Sequence, residues 1–262
     1  MTGAGAAAPV RIDRPLAGVA VVVLNRPDRL NAMKPSTMPD LVEALESLAA
    51  DEDARVVVLT GSGRGFCTGM DLAALDEMAP MEIRAQTEWM RDLMRGSIAL
   101  SRLPQPTIAA VNGPATGGGF GYAMGCDLRI ASRSALFAAT FVRMAMGPDA
   151  GLSHTLPRVV GHAKALELLL TGATVDALDA LRLGLVSEVV DDALAEAVDL
   201  AARIAETPAH ASRSIKATLR AAAAADFETT VNDIEAPAQA ELVCHPDWLA
   251  NAEGWFGRHN PR

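Results

Sequence analysis

Two stretches decide how this chain folds: RVVVLTGSGRGFCTGMDL, from Arg55 to Leu72, and PTIAAVNGPATGGGFGYAMGCDLRIAS, from Pro106 to Ser132. Each begins with about five unbroken β-branched or small apolar residues, the pattern of a strand buried on both faces, and each stops at glycine. Helical spacing follows both. A chain that leaves a buried strand through glycines and enters a helix exposes several amide N–H groups that have no internal acceptor, at the positive end of the helix dipole. Two such turns facing one another are suited to hold negative charge on a single oxygen, a device worth roughly 10² to 10³ in rate per donor.

Outward from these turns, residues 10–24 and 55–60 read as strands, separated by the polar, proline-containing segment 25–39 and a helix near 40–50. Pro80 to Ser101 has helical spacing in Ile83, Trp89, Met90, Leu93, Met94 and Ile98, and Leu103-Pro104-Gln105-Pro106 closes it. Strands are expected at 126–131 and 135–139. From about Leu152 the pattern becomes mostly helical, with Leu194, Ala197, Val198, Ala201, Ile204 and Ala205 forming an apolar stripe. Alternation of strand and helix argues a stacked α/β architecture.

Composition excludes several classes. Half of the 262 residues are hydrophobic, enough for one sizeable core. Lys+Arg total 23 against Asp+Glu 32, a net charge of −9, so no basic surface of the kind nucleic acid requires is expected. The longest apolar run, Ala17 to Leu24, falls far short of the about 20 residues that span a bilayer. The N-terminus lacks a charged start and an apolar signal core, so a cytoplasmic protein is expected, its residues 1–9 frayed. Cys67, Cys126 and Cys244 fit reduced thiols better than disulfides or a metal site. Gly61-Ser62-Gly63-Arg64-Gly65 lacks the helix-packing glycine of a dinucleotide turn and the Lys-Ser/Thr of a P-loop, and no G-x-S-x-G is present.

LNRPDRLNAM (Leu24–Met33), GRGFCTGMDL (Gly63–Leu72), AAVNGPATGGGFGYAMGCDLRIAS (Ala109–Ser132) and ALRLGLVSEVV (Ala180–Val190) closely resemble the crotonase superfamily, the enoyl-CoA hydratase/isomerase group, in order and spacing. The resemblance covers about Val10 to Pro261. It implies an α/β fold with a crotonase-like stacked ββα spiral core over 10–200 and a C-terminal helical trimerisation region over 201–262, in a homotrimer or dimer of trimers. It implies an acyl-CoA thioester as substrate and no cofactor apart from coenzyme A, which belongs to the substrate; on the charge and the apolar runs, no membrane or nucleic-acid partner is expected.

By the same resemblance, the backbone N–H groups of Met70 and Gly118 hold the thioester oxygen. Arg29, Leu30 and Ala32 on one side, and Gly69, Asp71 and Leu72 on the other, flank coenzyme A; Gly117, Gly121, Phe141 and Met144 are further acyl-CoA-binding positions. Phe256 and Arg258 fall in the segment that lies by the nucleotide of a neighbouring subunit. Family hydratases use two glutamates, and the matching positions here are Gly121 and Phe141, neither of which carries a proton. The chain offers instead Asp149, where several isomerases of the family carry their acid/base. Its competing role is a helix N-cap, worth about 1 kcal/mol.

A single carboxylate suffices for a double-bond shift, and burial among Phe141, Met144 and Met146 is expected to raise the pKa of Asp149. The dehalogenase branch of the family needs a histidine where Met94 stands. Glu88 and His154 are expected to be structural or solvated. Met70, Met78, Met90, Met94, Phe141, Met144 and Met146 are candidates for an adaptable acyl pocket, against ordinary core packing. The reading is an enoyl-CoA isomerase with Asp149 as acid/base. A hydratase with non-standard acid/base residues, and an acyl-CoA-binding protein of weak activity, stay open as alternatives.

Overall fold

The computed structural model describes residues 8–74 and 82–259, without the side chains of 257–259. The chain divides into two compact units, Met1–Ala205 and Glu206–Arg262. The division falls at the end of a helix rather than at 200/201, because Ala193–Ala205 packs as a whole on the first unit's sheet.

In the first unit, β1 (Val10–Leu16) and β2 (Val19–Leu24) form an antiparallel hairpin around Gly18. Helix α1 (Met38–Ala49) leads to β3 (Val56–Gly61), parallel to β2, and α2 (Ile83–Arg102) leads to β4 (Thr107–Val111), parallel to β3. After β5 (Pro114–Thr116) and α3 (Gly118–Gly125), β6 (Leu128–Ser132) returns to the sheet beside β4. Then come β7 (Leu136–Ala138), α4 (Leu152–Val160), α5 (His162–Thr171), β8 (Thr174–Asp176), α6 (Ala177–Arg182), β9 (Glu188–Val190) and α7 (Ala193–Ala205).

The large sheet has the order β1-β2-β3-β4-β6-β9 and is parallel apart from its first pair. A second sheet, β5-β7-β8, is built from three-residue strands. Every residue of β2, β3 and β4 is buried, as continuous apolar runs require of a sheet covered on both faces. Ala20, Val22, Val57, Leu59, Ala109 and Val111 face α1 to α3, whereas Val21, Val58, Ile108 and Ala110 face the small side chains of α7, Ala193, Ala197, Ala201 and Ala205. Alternation along each strand thus divides the core into two layers.

The sequence pattern shows 10–24 as strand without the break at Gly18 that makes it a hairpin. Ala8 and Pro9, expected to fray, are held by Asn25, whose N–H reaches the Pro9 carbonyl at 2.7 Å and whose Nδ2 reaches that of Ala8 at 3.0 Å; residues 1–7 lie outside the described residues.

The second unit is helical: α8 (Ala209–Ala222), α9 (Phe227–Thr229), a π-helical turn over Thr230–Glu235, α10 (Ala236–Val243) and α11 (Trp248–His259). Asp226 caps α9, accepting a hydrogen bond from the Thr229 N–H. Among the described residues, no helix is long and apolar enough to cross a membrane.

Candidate active site

The two glycine turns are joined through their backbones. The N–H groups of Phe66 and Cys67 both donate to the Pro114 carbonyl at 3.1 Å, and Thr116 N–H returns a bond to the Cys67 carbonyl at 3.0 Å. Two buried or half-buried amides fasten the first turn. Asn31 Nδ2 donates to the carbonyls of Ser62 and Gly65, and its Oδ1 accepts from Arg26 N–H; Asn112 Nδ2 donates to those of Gly61 and Gly63. Asn31 is fully buried and adopts φ +58, a conformation asparagine tolerates better than most residues. Its place in the LNRPDRLNAM motif gives no hint of this task, because the Ser62 and Gly65 carbonyls that it ties lie about thirty residues away.

This scaffold leaves two donors unpaired. Met33 N–H bonds the Gly69 carbonyl at 2.7 Å and Asp71 N–H bonds the Met33 carbonyl at 2.8 Å, so the Met70 N–H between them turns away from its neighbour strand. Gly118 begins α3, where the helix has no carbonyl to offer its N–H. Neither amide has an acceptor among the described residues. The turns also touch where these donors lie. A Cβ on Gly69, which has φ +81, would sit 2.8 Å from the Gly118 nitrogen. Only glycine permits both that approach and that conformation.

A cavity of about 460 Å³ opens over this point. Of the residues expected to meet substrate, it is lined by Arg29, Leu30, Ala32, Met70, Asp71, Leu72, Gly117, Gly118, Phe141, Met144 and Asp149, and Met146 joins them. Gly69 and Gly121 do not line it. Gly69 packs against the Thr116–Gly118 backbone, and Gly121 is covered by Asp149 and Ala150, with Ala150 Cβ 2.6 Å from where its own Cβ would stand. The expectation that Gly121 binds the acyl-CoA directly is thereby corrected: Asp149 and Ala150 fill the space beside it.

Among the described residues, three carboxylates line the cavity, Asp28, Asp71 and Asp149, and Asp149 lies against Gly118. Its Oδ1 is buried without a hydrogen-bond partner and lies 3.2 Å from where a Cβ on Gly118 would stand. The N-cap of α4 is Gly151, and no side chain caps that helix, so Asp149 is not spent on helix amides. Burial pushes its carboxyl up to about 6.

Asp71 also borders the cavity, but its carboxylate is committed. Arg26 Nη2 meets Asp71 Oδ2 at 2.7 Å, and Ala73 N–H bonds Oδ1. Burial raises its pKa, yet the bonds from Arg26 and Ala73 outweigh that and hold the group below the usual carboxylate range. Arg26 escaped the sequence reading, as did Arg64, an exposed cation at the cavity beside the exposed Arg29. A lone cation inside a glycine turn was the only signal for Arg64.

Other candidates lie elsewhere. Glu88 is exposed on α2 and paired with Arg91, and His154 is exposed. Cys67 is buried, and desolvation pushes its thiol up to about 12, which leaves no thiolate at neutral pH. Met90 packs against the core, and neither it nor Met94 borders the cavity. Met78 and the Arg258 side chain lie outside the described residues; Phe256 is exposed on α11.

Comparison with known proteins gives the same architecture a family. Residues 15–250 match the family model described as enoyl-CoA hydratase/isomerase. The chain is 42% identical over 188 residues to the Mycobacterium tuberculosis protein named probable enoyl-CoA hydratase EchA12; the match takes in 70% of this chain and 66% of that relative, just under two thirds of its length. The structure of an enoyl-CoA hydratase subunit from Geobacillus kaustophilus superposes with TM-score 0.88 at 34% identity, covering 97% of both chains. A monofunctional enoyl-CoA isomerase from M. smegmatis superposes with TM-score 0.73 at 40% identity, covering 86% of this chain and 99% of that one. The chain belongs to the enoyl-CoA hydratase/isomerase family, within the crotonase superfamily.

Proposed function

We propose that this protein shifts the double bond of an enoyl-CoA, with Asp149 as the single acid/base. The observation that carries the reading is the unpartnered Asp149 Oδ1 beside Gly118, in a cavity that also contains Met70. The thioester oxygen of a 3-enoyl-CoA accepts hydrogen bonds from Met70 N–H and Gly118 N–H. Asp149 removes a proton from C2, and the C–H electron pair passes into the thioester to form a dienolate whose oxygen the two amides hold. The carboxylic acid then returns the proton to C4, giving the 2-enoyl-CoA and regenerating the carboxylate. Because charge on the oxygen grows along this path, the amides stabilise the dienolate more than the ground state, which is the condition for acceleration. A pKa near 6 suits a group that must both take and return a proton near neutrality.

Arg29 and Arg64 at the cavity are suited to the phosphates of coenzyme A, and Phe141, Met144 and Met146 to an apolar acyl chain. Exposed Ile215, Leu219, Phe227, Trp248, Leu249 and Trp255 give the second unit apolar faces suited to subunit contacts; a homotrimer or dimer of trimers, and a cytoplasmic location, are proposed with the family resemblance as their basis. Coenzyme A enters as part of the substrate, and no other cofactor is proposed.

Hydration is the competing reading, favoured by the name of the EchA12 relative. Incubation with 2-enoyl- and 3-enoyl-CoA in D₂O, followed by mass spectrometry, separates the two. A 3-to-2 shift or deuterium entry without water addition, lost in Asp149→Ala, is the expected result. Rapid water addition would replace this reading with hydration, and tight binding of both thioesters without conversion would replace it with a binding role.

A further inference from the structure

Four non-glycine residues among the described ones have positive φ: Leu30, Asn31, Ala145 and Ala150. Asn31 organises the first glycine turn. Ala150, at φ +48, lacks the polar side chain that makes this conformation tolerable, and it lies between the carboxylate-bearing Asp149 and Gly151, which is also left-handed at φ +79. Such an outlier persists only where its surroundings determine it, and it is found most often at working sites.

The surroundings here are α3. Ala150 is buried, and its Cβ occupies the space that a side chain on Gly121 would take: the two Cβ atoms would stand 2.6 Å apart, with the carbonyls of Ala150 and Asp149 at 3.0 and 3.3 Å. Gly121 lies one helical turn beyond Gly118, on the same face of α3. The turn that carries Asp149 is therefore seated in a notch that exists because residue 121 has no side chain.

We propose that Gly121 and Ala150 are a positioning pair: the Ala150 methyl, seated in the Gly121 notch in a left-handed conformation, sets the Asp149 carboxylate against Gly118. Neither residue reaches the reacting atoms. The strain at Ala150 is offset by this seating, and the depth of the seat decides how far the carboxylate stands from the Gly118 amide. This deepens the acid/base reading of Asp149 and, for its kinetic part, rests on it; the geometric part is tested separately.

The experiment compares Gly121→Ala, Ala150→Gly and Gly121→Ala/Ala150→Gly with the unaltered protein, following 3-enoyl-CoA turnover and the Asp149 carboxyl titration. The titration is read by NMR of protein labelled with ¹³C at aspartate carboxyls and assigned by its loss in Asp149→Asn. Gly121→Ala should lift the turn, bring the titration down toward the ordinary carboxylate range and lower kcat at least 10-fold, with KM within 2-fold. The double variant, in which one methyl replaces the other, should recover most of both. Ala150→Gly, which relieves the strained φ and so is expected to fold, should loosen the seat, lower kcat 2- to 5-fold and broaden or lower the titration.

An unchanged titration and kcat in both single variants would overturn the pair. So would a double variant no better than Gly121→Ala. If the unaltered protein fails to turn over 3-enoyl-CoA while the titration shifts and recovers as described, the pair stands and the isomerase reading falls.

Discussion

Arg26 and Asp71 form an ion pair of 2.7 Å, with 18% and 6% of their side chains exposed, and it closes the loop after β2 onto the turn that presents the Met70 amide. The Asp71 N–H bond to the Met33 carbonyl makes the same closure through the backbone. The pair therefore holds in place the turn that carries this donor.

Replacing Asp71 by alanine leaves the Arg26 guanidinium half-buried without its carboxylate, a loss of about 2 kcal/mol for a charged hydrogen-bonded group. Because the Asp71 pKa is depressed in the folded protein, its contribution is complete above the ordinary carboxylate pKa and is lost as pH falls through the folded value. Denaturant titrations of Asp71→Ala and the parent should differ at pH 7 and converge at strongly acidic pH.

Asp149 has the opposite sign. Its pKa rises from 3.8 to about 6 on folding, so the folded state is relatively favoured while the group is protonated and loses stability as pH climbs through that window. Asp149→Asn should therefore be more stable than the parent at pH 7.5, by about 1–2 kcal/mol after allowance for partial exposure, and no more stable at pH 3.5. Thermal unfolding at the two pH values measures this. A gain in stability accompanied by loss of turnover is the pattern expected where an unpartnered group is retained for chemistry.

Gly69→Ala should abolish most turnover. The added methyl would press on the Gly118 nitrogen at 2.8 Å, and the φ of +81 adds strain of about 1–3 kcal/mol. Loss of one oxyanion donor alone predicts a fall in kcat of about 10² to 10³. Steady-state kinetics on protein shown to be folded by circular dichroism checks it.

Of the three thiols, Cys67 and Cys126 are buried and Cys244 is exposed. Iodoacetamide at pH 7.5 should label Cys244 alone in the native protein and all three after denaturation, as counted by intact mass. Cys67→Ser should keep activity within about 2-fold, since serine can retain the bond that the Cys67 thiol makes to the Asn31 carbonyl.

The strands that place the site were readable because β3 and β4 are buried on both faces, and such strands show themselves as unbroken apolar runs. The helices around them were readable from spacing, Asp40–Ala50 appearing as Met38–Ala49. The three-residue strands β5, β7 and β8 are too short to carry a period, and only β7, inside 135–139, left a trace. The site divides in the same way. The unpaired Met70 and Gly118 amides and the buried Asp149 carboxylate lie at positions that motif and spacing single out, whereas the Asn31 bonds to Ser62 and Gly65, the Arg26–Asp71 pair and the seating of Ala150 on Gly121 join residues about thirty to forty-five positions apart. Contacts of that range leave no local period to read.

The most direct measurement follows the proton itself. A 3-enoyl-CoA carrying two deuterium atoms at C2 is turned over in H₂O, and the product is examined by mass spectrometry and NMR. Transfer by one buried carboxylate predicts that a measurable part of the deuterium lost from C2 appears at C4 of the 2-enoyl-CoA, and that Asp149→Asn forms little of this product. A 2-enoyl product made at an undiminished rate by Asp149→Asn, or a 3-hydroxyacyl-CoA as the main product, would contradict the account.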